Sequence, residues 1–244
     1  MSIPKVIHYC WFGDNPIPKR YVDYIQEWSR ICTDYKFVFW GMDNYDYTKS
    51  KYTQKAYELK QWAFLSDYAR LDIINTYGGI YLDIDVQLIK KLDIFLDYHS
   101  FFGMEKNLDR KLYVNTGLGF GSERDNPLLR ELIYLYDNKY VDYQFNQNIA
   151  CPILQLDVFY KYGFVPKNKV QYINNAVIFP TEYFAPLNCF GKLKITKNTV
   201  SIHHYLGSWI NDADRDMLLL KKCIYYFGYK TGEYVFQILK RLRN

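Results

Sequence analysis

Cysteine is scarce in this sequence and shows no pairing: Cys10, Cys32, Cys151, Cys189 and Cys223 are odd in number and widely spaced. That pattern argues against a disulfide framework and a cysteine-ligated zinc site, and reduced cytosol is the simplest compartment. No run of eighteen apolar residues occurs, so a membrane-spanning helix is not expected. The opening Met1-Ser2-Ile3-Pro4-Lys5 has no apolar signal core, so export by such a signal is not expected either. There is no internal repeat, no low-complexity linker and no composition break before residue 220. Net charge is missing from the same stretch, because the formal +5 arises wholly from residues 221–244. A neutral body without a recognition motif excludes nucleic acid as the expected partner.

What is present fits one α/β domain. A length of 244 residues suffices for a substantial core, and 49% hydrophobic residues argue against disorder. Aromatics reach 19%, driven by 26 tyrosines. Tyrosine joins a flat apolar body to a polar tip and suits sugar and base surfaces as well as ordinary packing. The tail, residues 221–244, interleaves Lys221, Lys222, Lys230, Lys240, Arg241 and Arg243 with aromatic and aliphatic residues. From Glu233 onward Val235, Ile238, Leu239 and Leu242 share one helical face. Two readings follow: a helix at an anionic membrane surface, or one packed on the domain with a solvated basic face.

The most informative stretch is Gly78-Gly79-Ile80-Tyr81-Leu82-Asp83-Ile84-Asp85. Strand alternation would put Tyr81, Asp83 and Asp85 on one face and Ile80, Leu82 and Ile84 on the other. Two carboxylates that close repel unless a cation, a raised pKa or full exposure relieves them. A hard, oxygen-ligated ion such as Mn²⁺ or Mg²⁺ suits the pair; a solvated strand end is the plain alternative. Upstream, Leu59, Trp62, Ala63, Ala69, Ile73, Ile74 and Tyr77 recur at helical steps, predicting one helix from Tyr57 to Tyr77 capped by Gly78. Asp67 and Arg70 lie three apart on it, either as an intrahelical ion pair or as a hydrogen-bonding pair beside the acidic strand.

A coarse reading adds strands at Val6–Phe12, Tyr35–Trp40, Ser100–Met104, Val114–Phe120, Ala176–Phe179 and Thr199–Tyr205. Helices are predicted at Lys19–Ile31, Pro127–Tyr136 and Ile149–Tyr162, the last interrupted near Pro152, with loop from Asp43 to Tyr52. This alternation predicts a single βαβ-rich domain over residues 1–220 with a mostly parallel sheet, followed by the tail.

Ser66-Asp67, then Arg70, then Gly78-Gly79, Tyr81, Asp83 and Asp85 together resemble the signature of the DXD-containing sugar transferases of glycosyltransferase family 32. That family includes bacterial capsule and lipopolysaccharide transferases and fungal initiating mannosyltransferases, and clostridial glucosylating toxins carry a similar signature. Ile3–Gly13 and His203–Trp209 resemble the family's opening strand and C-terminal segment, so the resemblance runs from residue 3 to 209. It implies a GT-A-type, Rossmann-like nucleotide-sugar fold with the acidic motif at a strand's end, where open α/β sheets bind ligands. It also implies Asp85 as a direct metal ligand, with Asp83 sharing the metal or holding a ribose hydroxyl. His204 is expected as the third ligand and His203 in the core, with the reverse assignment as the alternative. Ser208 and Trp209 would donate to the β-phosphate, Trp11 would stack on uracil, and Ser66, Asp67 and Arg70 would grip the donor sugar.

The activity implied is retaining transfer of a hexose from a nucleotide sugar, a UDP-sugar favoured, to a saccharide or lipid-linked acceptor at the cytoplasmic membrane face. No carboxylate stands out as a nucleophile; Glu105 and Asp109 are the conceivable ones, and same-face attack by the acceptor is the expectation. Asn115-Thr116-Gly117 and Gly119-Phe120-Gly121 are expected to shape the acceptor side. The alternatives are a toxin-like effector that glycosylates a protein and a non-catalytic sugar- or cation-binding domain.

Overall fold

The structure, a computed structural model, describes residues 2–107, 109, 111–139, 150–188, 191–205, 216, 219–220, 223, 226–227 and 229–243. Strands are β1 (Val6–Cys10), β2 (Lys36–Trp40), β3 (Gly79–Tyr81), β4 (Val86–Leu88), β5 (Ser100–Lys106), β6 (Leu112–Ser122), β7 (Gln171–Ile173), β8 (Ala176–Phe179) and β9 (Ser201–His203). Helices are α1 (Lys19–Ile31), α2 (Lys51–Glu58), α3 (Trp62–Tyr77), α4 (Pro127–Lys139), α5 (Cys151–Leu154), α6 (Leu156–Lys161), α7 (Thr181–Phe184) and α8 (Tyr229–Arg243).

The central sheet has the order β2-β1-β3-β6-β5-β8-β7. Five of its seven strands run the same way; β6 and β7 oppose them. The sheet is thus mixed and mostly parallel in direction. A second, two-stranded ribbon pairs β4 with β9 antiparallel, Val86 opposite His203.

Side chains alternate across the central sheet and build one apolar layer on each face. Tyr81, Phe102, Phe120 and Ile178 pack with Leu65, Tyr68 and Leu71 of α3 and with Leu129 and Leu132 of α4. Ile7, Ile80, Phe101 and Val177 pack on the other face with Trp28 of α1, Val86 and Leu88 of β4, and Phe184 of α7. Helix α3 lies between the sheet and α4, so nine of its side chains are buried, Asp67 and Arg70 among them. Two charged groups at the middle of a buried helix need partners, and they have each other and the acidic strand.

Four local expectations change. Inside the stretch expected as loop, Tyr47–Lys49 forms a helical turn and α2 begins at Lys51, capped by the Ser50 side chain. The single helix from Tyr57 to Tyr77 is two: Lys60 adopts φ 53° and Gln61 bonds back to Ala56, so α2 stops and α3 restarts at Trp62. The strand ends at Tyr81, and the Val86 amide bonds to the Asp83 carbonyl at 3.0 Å, so a turn rather than alternation brings Asp83 and Asp85 together. Pro152 sits inside the first turn of α5; the break lies at Gln155, between α5 and α6. Helix α7 and strand β7 had no expectation attached to them.

Gly78 and Gly79 turn the end of α3 into β3 with φ of 68° and 111°. A Cβ on Gly79 would stand 2.7 Å from the Val6 carbonyl oxygen, so no other residue lets β3 lie against β1 here. In β6 the pairing jumps from Phe102 opposite Phe120 to Gly103 opposite Asn115. The four residues Thr116–Gly119 therefore bulge out, and they lean over the end of β3.

Candidate metal and donor site

The parallel strands end along one edge, which carries Trp11 after β1, Asp83 and Asp85 after β3, and Glu105 near the end of β5. Helix α3 supplies the positive charge. Arg70 Nη2 lies 3.0 Å from Asp67 Oδ1 and 3.2 Å from Asp83 Oδ1, so one guanidinium bridges the helix and the acidic strand. Its Nε donates to the Ser66 carbonyl at 3.1 Å and Nη2 reaches the Ser66 hydroxyl at 3.2 Å, which fixes the fork. The Tyr81 hydroxyl donates to Asp83 Oδ1 at 2.9 Å, and the Tyr81 ring lies under the guanidinium, 5.0 Å from its carbon.

The histidine that joins the aspartates is His203. Its Nε2 lies 3.3 Å from Asp85 Oδ1 and 3.9 Å from Asp83 Oδ2. Asp83, Asp85 and His203 each offer one ligand atom, all within 4.8 Å of one another. The expected third ligand, His204, turns the other way. Its Nε2 meets Gln87 Oε1 at 3.1 Å, its ring stacks on Tyr24 at 5.1 Å, and Arg20 approaches Nδ1 at 3.4 Å. The physical reason is β9 pairing: His203 lies opposite Val86 and so takes the inner face with Val86 and Leu88, while His204 takes the outer face with Gln87. Asp85, in the turn before β4, is outside the strand's alternation and meets His203. Two carboxylate oxygens and one imidazole nitrogen, converging with room between them, form a donor set that fits a divalent ion such as Mn²⁺ or Mg²⁺.

The electrostatics follow from burial and these contacts. Burial opposes the Asp83 charge, yet Arg70, His203 and Tyr81 hold its carboxyl below the usual range. Burial dominates at Asp67 and pushes it up to about 6 despite Arg70. Burial also disfavours charge on His203, but Asp85 and Asp83 raise its pKa overall. The histidine and the two acids thus favour one another's charged forms.

Other expected residues are distributed around this centre. Trp11 is half-buried just beyond β1, and its indole N–H donates to the Asn15 carbonyl. Ser208 and Trp209 lie outside the described residues. Asp109 accepts from the Tyr113 hydroxyl at 2.6 Å and the Lys111 amide at 2.9 Å, and Tyr113 lies at the start of β6, opposite Glu105.

Three further residues border this centre: Gly117 and Asn115, expected to shape the acceptor side, and Cys151, which had no assigned role. Gly117, on the bulge, is so close that a Cβ would stand 2.7 Å from Asp83 Oδ2 and 2.9 Å from Arg70 Nη1. Asn115 Oδ1 accepts from the Gly117 amide at 2.7 Å and lies 3.4 Å from the Cys151 thiol. Cys151 also bonds the Asp67 carboxylate through its amide and thiol. Tyr81 was legible as a residue on the Asp83 face and Gly117 as a loop glycine, though its place against Asp83 comes from the bulge; Cys151 gave no local signal, since only α5 brings it in. Beneath the motif, buried His8 accepts from Trp40 Nε1 at 3.0 Å and meets the Gly78 carbonyl through Nε2 at 3.1 Å. That arrangement fixes the neutral ring, whose pKa burial lowers to about 4.

Residues 18–102 match the family described as a glycosyltransferase sugar-binding region containing a DXD motif. An uncharacterized glycosyltransferase of Acanthamoeba polyphaga mimivirus is 27% identical over 198 residues, covering 77% of each chain. Inositol phosphoceramide mannosyltransferase 3 of Schizosaccharomyces pombe is 31% identical over 140 residues, 54% of this chain and 36% of that enzyme, so this chain spans about a third of its length. Among solved structures, PaToxG glycosyltransferase aligns with TM-score 0.48 and 15% identity over 65% of this chain and 69% of that one. The matched region contains Ser66, Asp67, Arg70, Asp83 and Asp85, and over it the chain is similar to glycosyltransferases with a DXD-containing sugar-binding region.

Proposed function

We propose that this glycosyltransferase is metal-dependent and retaining, and moves a hexose from a nucleotide sugar, a UDP-sugar favoured, to a growing surface polysaccharide or lipid-linked oligosaccharide. The observation that carries the reading is the convergence of Asp67, Arg70, Asp83, Asp85 and His203 at one strand edge. Asp83, Asp85 and His203 would hold Mn²⁺ or Mg²⁺, which when bound supplies Lewis acidity to the departing diphosphate. Asp67 and Arg70 would bind donor-sugar hydroxyls through charge-assisted hydrogen bonds, and Ser66 holds the guanidinium for that task. Trp11 is proposed to stack on the base, and Ser208 with Trp209 to donate to the β-phosphate. Support for same-face attack comes from the carboxylates: Asp67 is engaged by Arg70 and Cys151, Glu105 by Asn115 and Tyr205, and Asp109 by Tyr113. None is a bare nucleophile at the reacting centre.

The fission-yeast relative is named for mannose transfer to inositol phosphoceramide, which supports a lipid-linked acceptor and keeps mannose among the candidate sugars, beside glucose, galactose and N-acetylgalactosamine. Among the described residues no helix is long and apolar enough to cross a membrane. Helix α8 exposes Tyr234, Ile238 and Leu239 while burying Phe236, and Lys240 and Arg241 lie on its exposed surface. We propose that the tail, residues 221–244, places the domain of residues 1–220 at the anionic cytoplasmic face of a membrane. Full-length protein should then sediment with anionic vesicles at low salt and be released at high salt; indifference to the vesicles would refute the membrane role.

The enzymatic reading is tested by incubating the protein with UDP- and GDP-sugars without acceptor and assaying released nucleoside diphosphate. Release that needs Mn²⁺ and stops with chelator is expected for one donor class. Binding of a donor with no release from any of them would leave a sugar-binding domain instead.

A further inference from the structure

A histidine that ligates a metal is normally oriented by a hydrogen bond from its other ring nitrogen to a carboxylate, carbonyl or water. His203 departs from that pattern: its Nδ1 is buried and has no hydrogen-bond partner among the described residues. The ring is nevertheless aimed, with Nε2 toward Asp85 and Asp83. What touches it is Tyr205, whose ring packs edge-on against the imidazole with centroids 4.4 Å apart. Tyr205 is itself held in an unusual conformation, with φ 52°, which an aromatic residue adopts only when its surroundings compel it.

One partner that holds the Tyr205 side chain is Glu105. This carboxylate on β5 is buried, 6% exposed, and accepts hydrogen bonds from Tyr205 and from Asn115. Asn115 carries the bulge that presses Gly117 against Asp83 and Arg70. Tyr205 follows the β4–β9 ribbon that carries His203, whereas Glu105 and Asn115 belong to the central sheet. Glu105 is therefore a strut between the two sheets that supply the proposed metal ligands.

We propose that Glu105 and Tyr205 are positioning residues that set the His203 ring, and with it the metal affinity of the Asp83–Asp85–His203 group. The inference rests on the metal reading of the site and adds to it the device that aims the histidine. Neither residue touches the ion; Glu105 acts through Tyr205, and Tyr205 through the imidazole.

Direct Mn²⁺ binding to the full-length protein, followed by electron paramagnetic resonance, tests this, with thermal unfolding of each variant alongside. Tyr205→Phe keeps the ring and deletes the hydroxyl, and Glu105→Ala deletes the acceptor; each should weaken Mn²⁺ binding by roughly 10-fold, the lower end of the effect of losing such a support. Glu105→Gln retains an acceptor oxygen and should stay within about threefold of wild type. The Glu105→Ala/Tyr205→Phe double variant should be no weaker than either single one, because both break the same link. In a His203→Ala background, Tyr205→Phe should change Mn²⁺ affinity no further, which a merely structural role would not predict. Wild-type affinity in folded Tyr205→Phe, or additive losses in the double variant, would overturn the proposal. Failure of the wild-type protein to bind Mn²⁺ would instead overturn the metal reading beneath it.

Discussion

Gly117→Ala adds one methyl group to the wall of the site and leaves every charged side chain in place. Gly117 does not use the left-handed backbone region, so the substitution introduces no conformational strain of its own. Its effect is steric and directed. The new Cβ would stand 2.7 Å from Asp83 Oδ2, where ordinary contact begins at 3.4 Å, so the carboxylate or the bulge must yield by about 0.7 Å. The same Cβ would stand 2.9 Å from Arg70 Nη1 and 3.1 Å from Asn115 Oδ1, which closes the easy directions of retreat. Overpacking of this kind costs roughly 1–3 kcal/mol. For a chain of this size that lowers the melting temperature by roughly 2–4 °C per kcal/mol. Moving Asp83 also separates it from His203, and Mn²⁺ affinity should fall on the order of 10-fold or more. Differential scanning calorimetry and a Mn²⁺ titration of the same sample measure both effects. A Gly117→Ala protein with unchanged melting temperature and unchanged Mn²⁺ affinity would refute the claim that the bulge holds Asp83 in place.

Asp85→Asn removes a ligand charge without changing volume, so Mn²⁺ binding and metal-dependent donor turnover should drop at least about 10-fold with the circular dichroism spectrum unchanged; equal Mn²⁺ titrations would remove Asp85 from the metal site. His203→Ala should raise the metal concentration needed for half-maximal turnover, while His204→Ala should leave that concentration alone and loosen the contact with Tyr24 and Arg20, and the reverse outcome would restore His204 as the ligand. His8 supplies a pH signature: burial lowers its pKa from 6.5 to about 4, so the folded state binds the proton less readily than the unfolded one. Its contribution is complete above pH 6.5 and is lost as the pH falls toward 4, amounting to about 3 kcal/mol over that window. Urea unfolding at several pH values should show that slope reduced in His8→Gln, and parallel slopes for the two proteins would contradict the assignment.

Much of the architecture was readable because local physics and tertiary context agree. The boundaries of α1 and β8 are those expected, and the Gly78–Gly79 turn lies where the helix pattern ends. Tertiary context overrode the pattern elsewhere. The helical spacing from Leu59 to Tyr77 is continuous in sequence, yet Lys60 breaks it, because periodicity records which residues are apolar and not where the backbone turns. Strand β7 is short, at the edge of the sheet, and carries an exposed tyrosine, so its alternation was too brief to register. The large bulge in β6 is invisible locally, since only pairing with β5 defines four residues as surplus.

The two histidines mark the limit of such a reading. A strand's alternation guarantees that His203 and His204 face opposite ways, but it cannot say which way is inward. That choice is made by the pairing of β9 with β4, more than a hundred residues upstream, whose own register follows from burying Val86 and Leu88 against α1 and the central sheet. The Asp83–Arg70–Asp67 contact was accessible because its members lie within twenty residues on a helix and the strand it feeds. The remaining wall, from Glu105, Asn115, Gly117, Cys151 and Tyr205, comes from four separate segments. The sequence pointed to the Asn115–Gly117 loop and the His203–Trp209 segment separately, and nothing in either says that they meet. A buried carboxylate bonded to an asparagine and a tyrosine is unremarkable in sequence, and it acquires meaning only when the tyrosine is found against the metal-facing histidine. The charged centre of this enzyme is therefore a local property of the chain, and the geometry that aims it is a property of the fold.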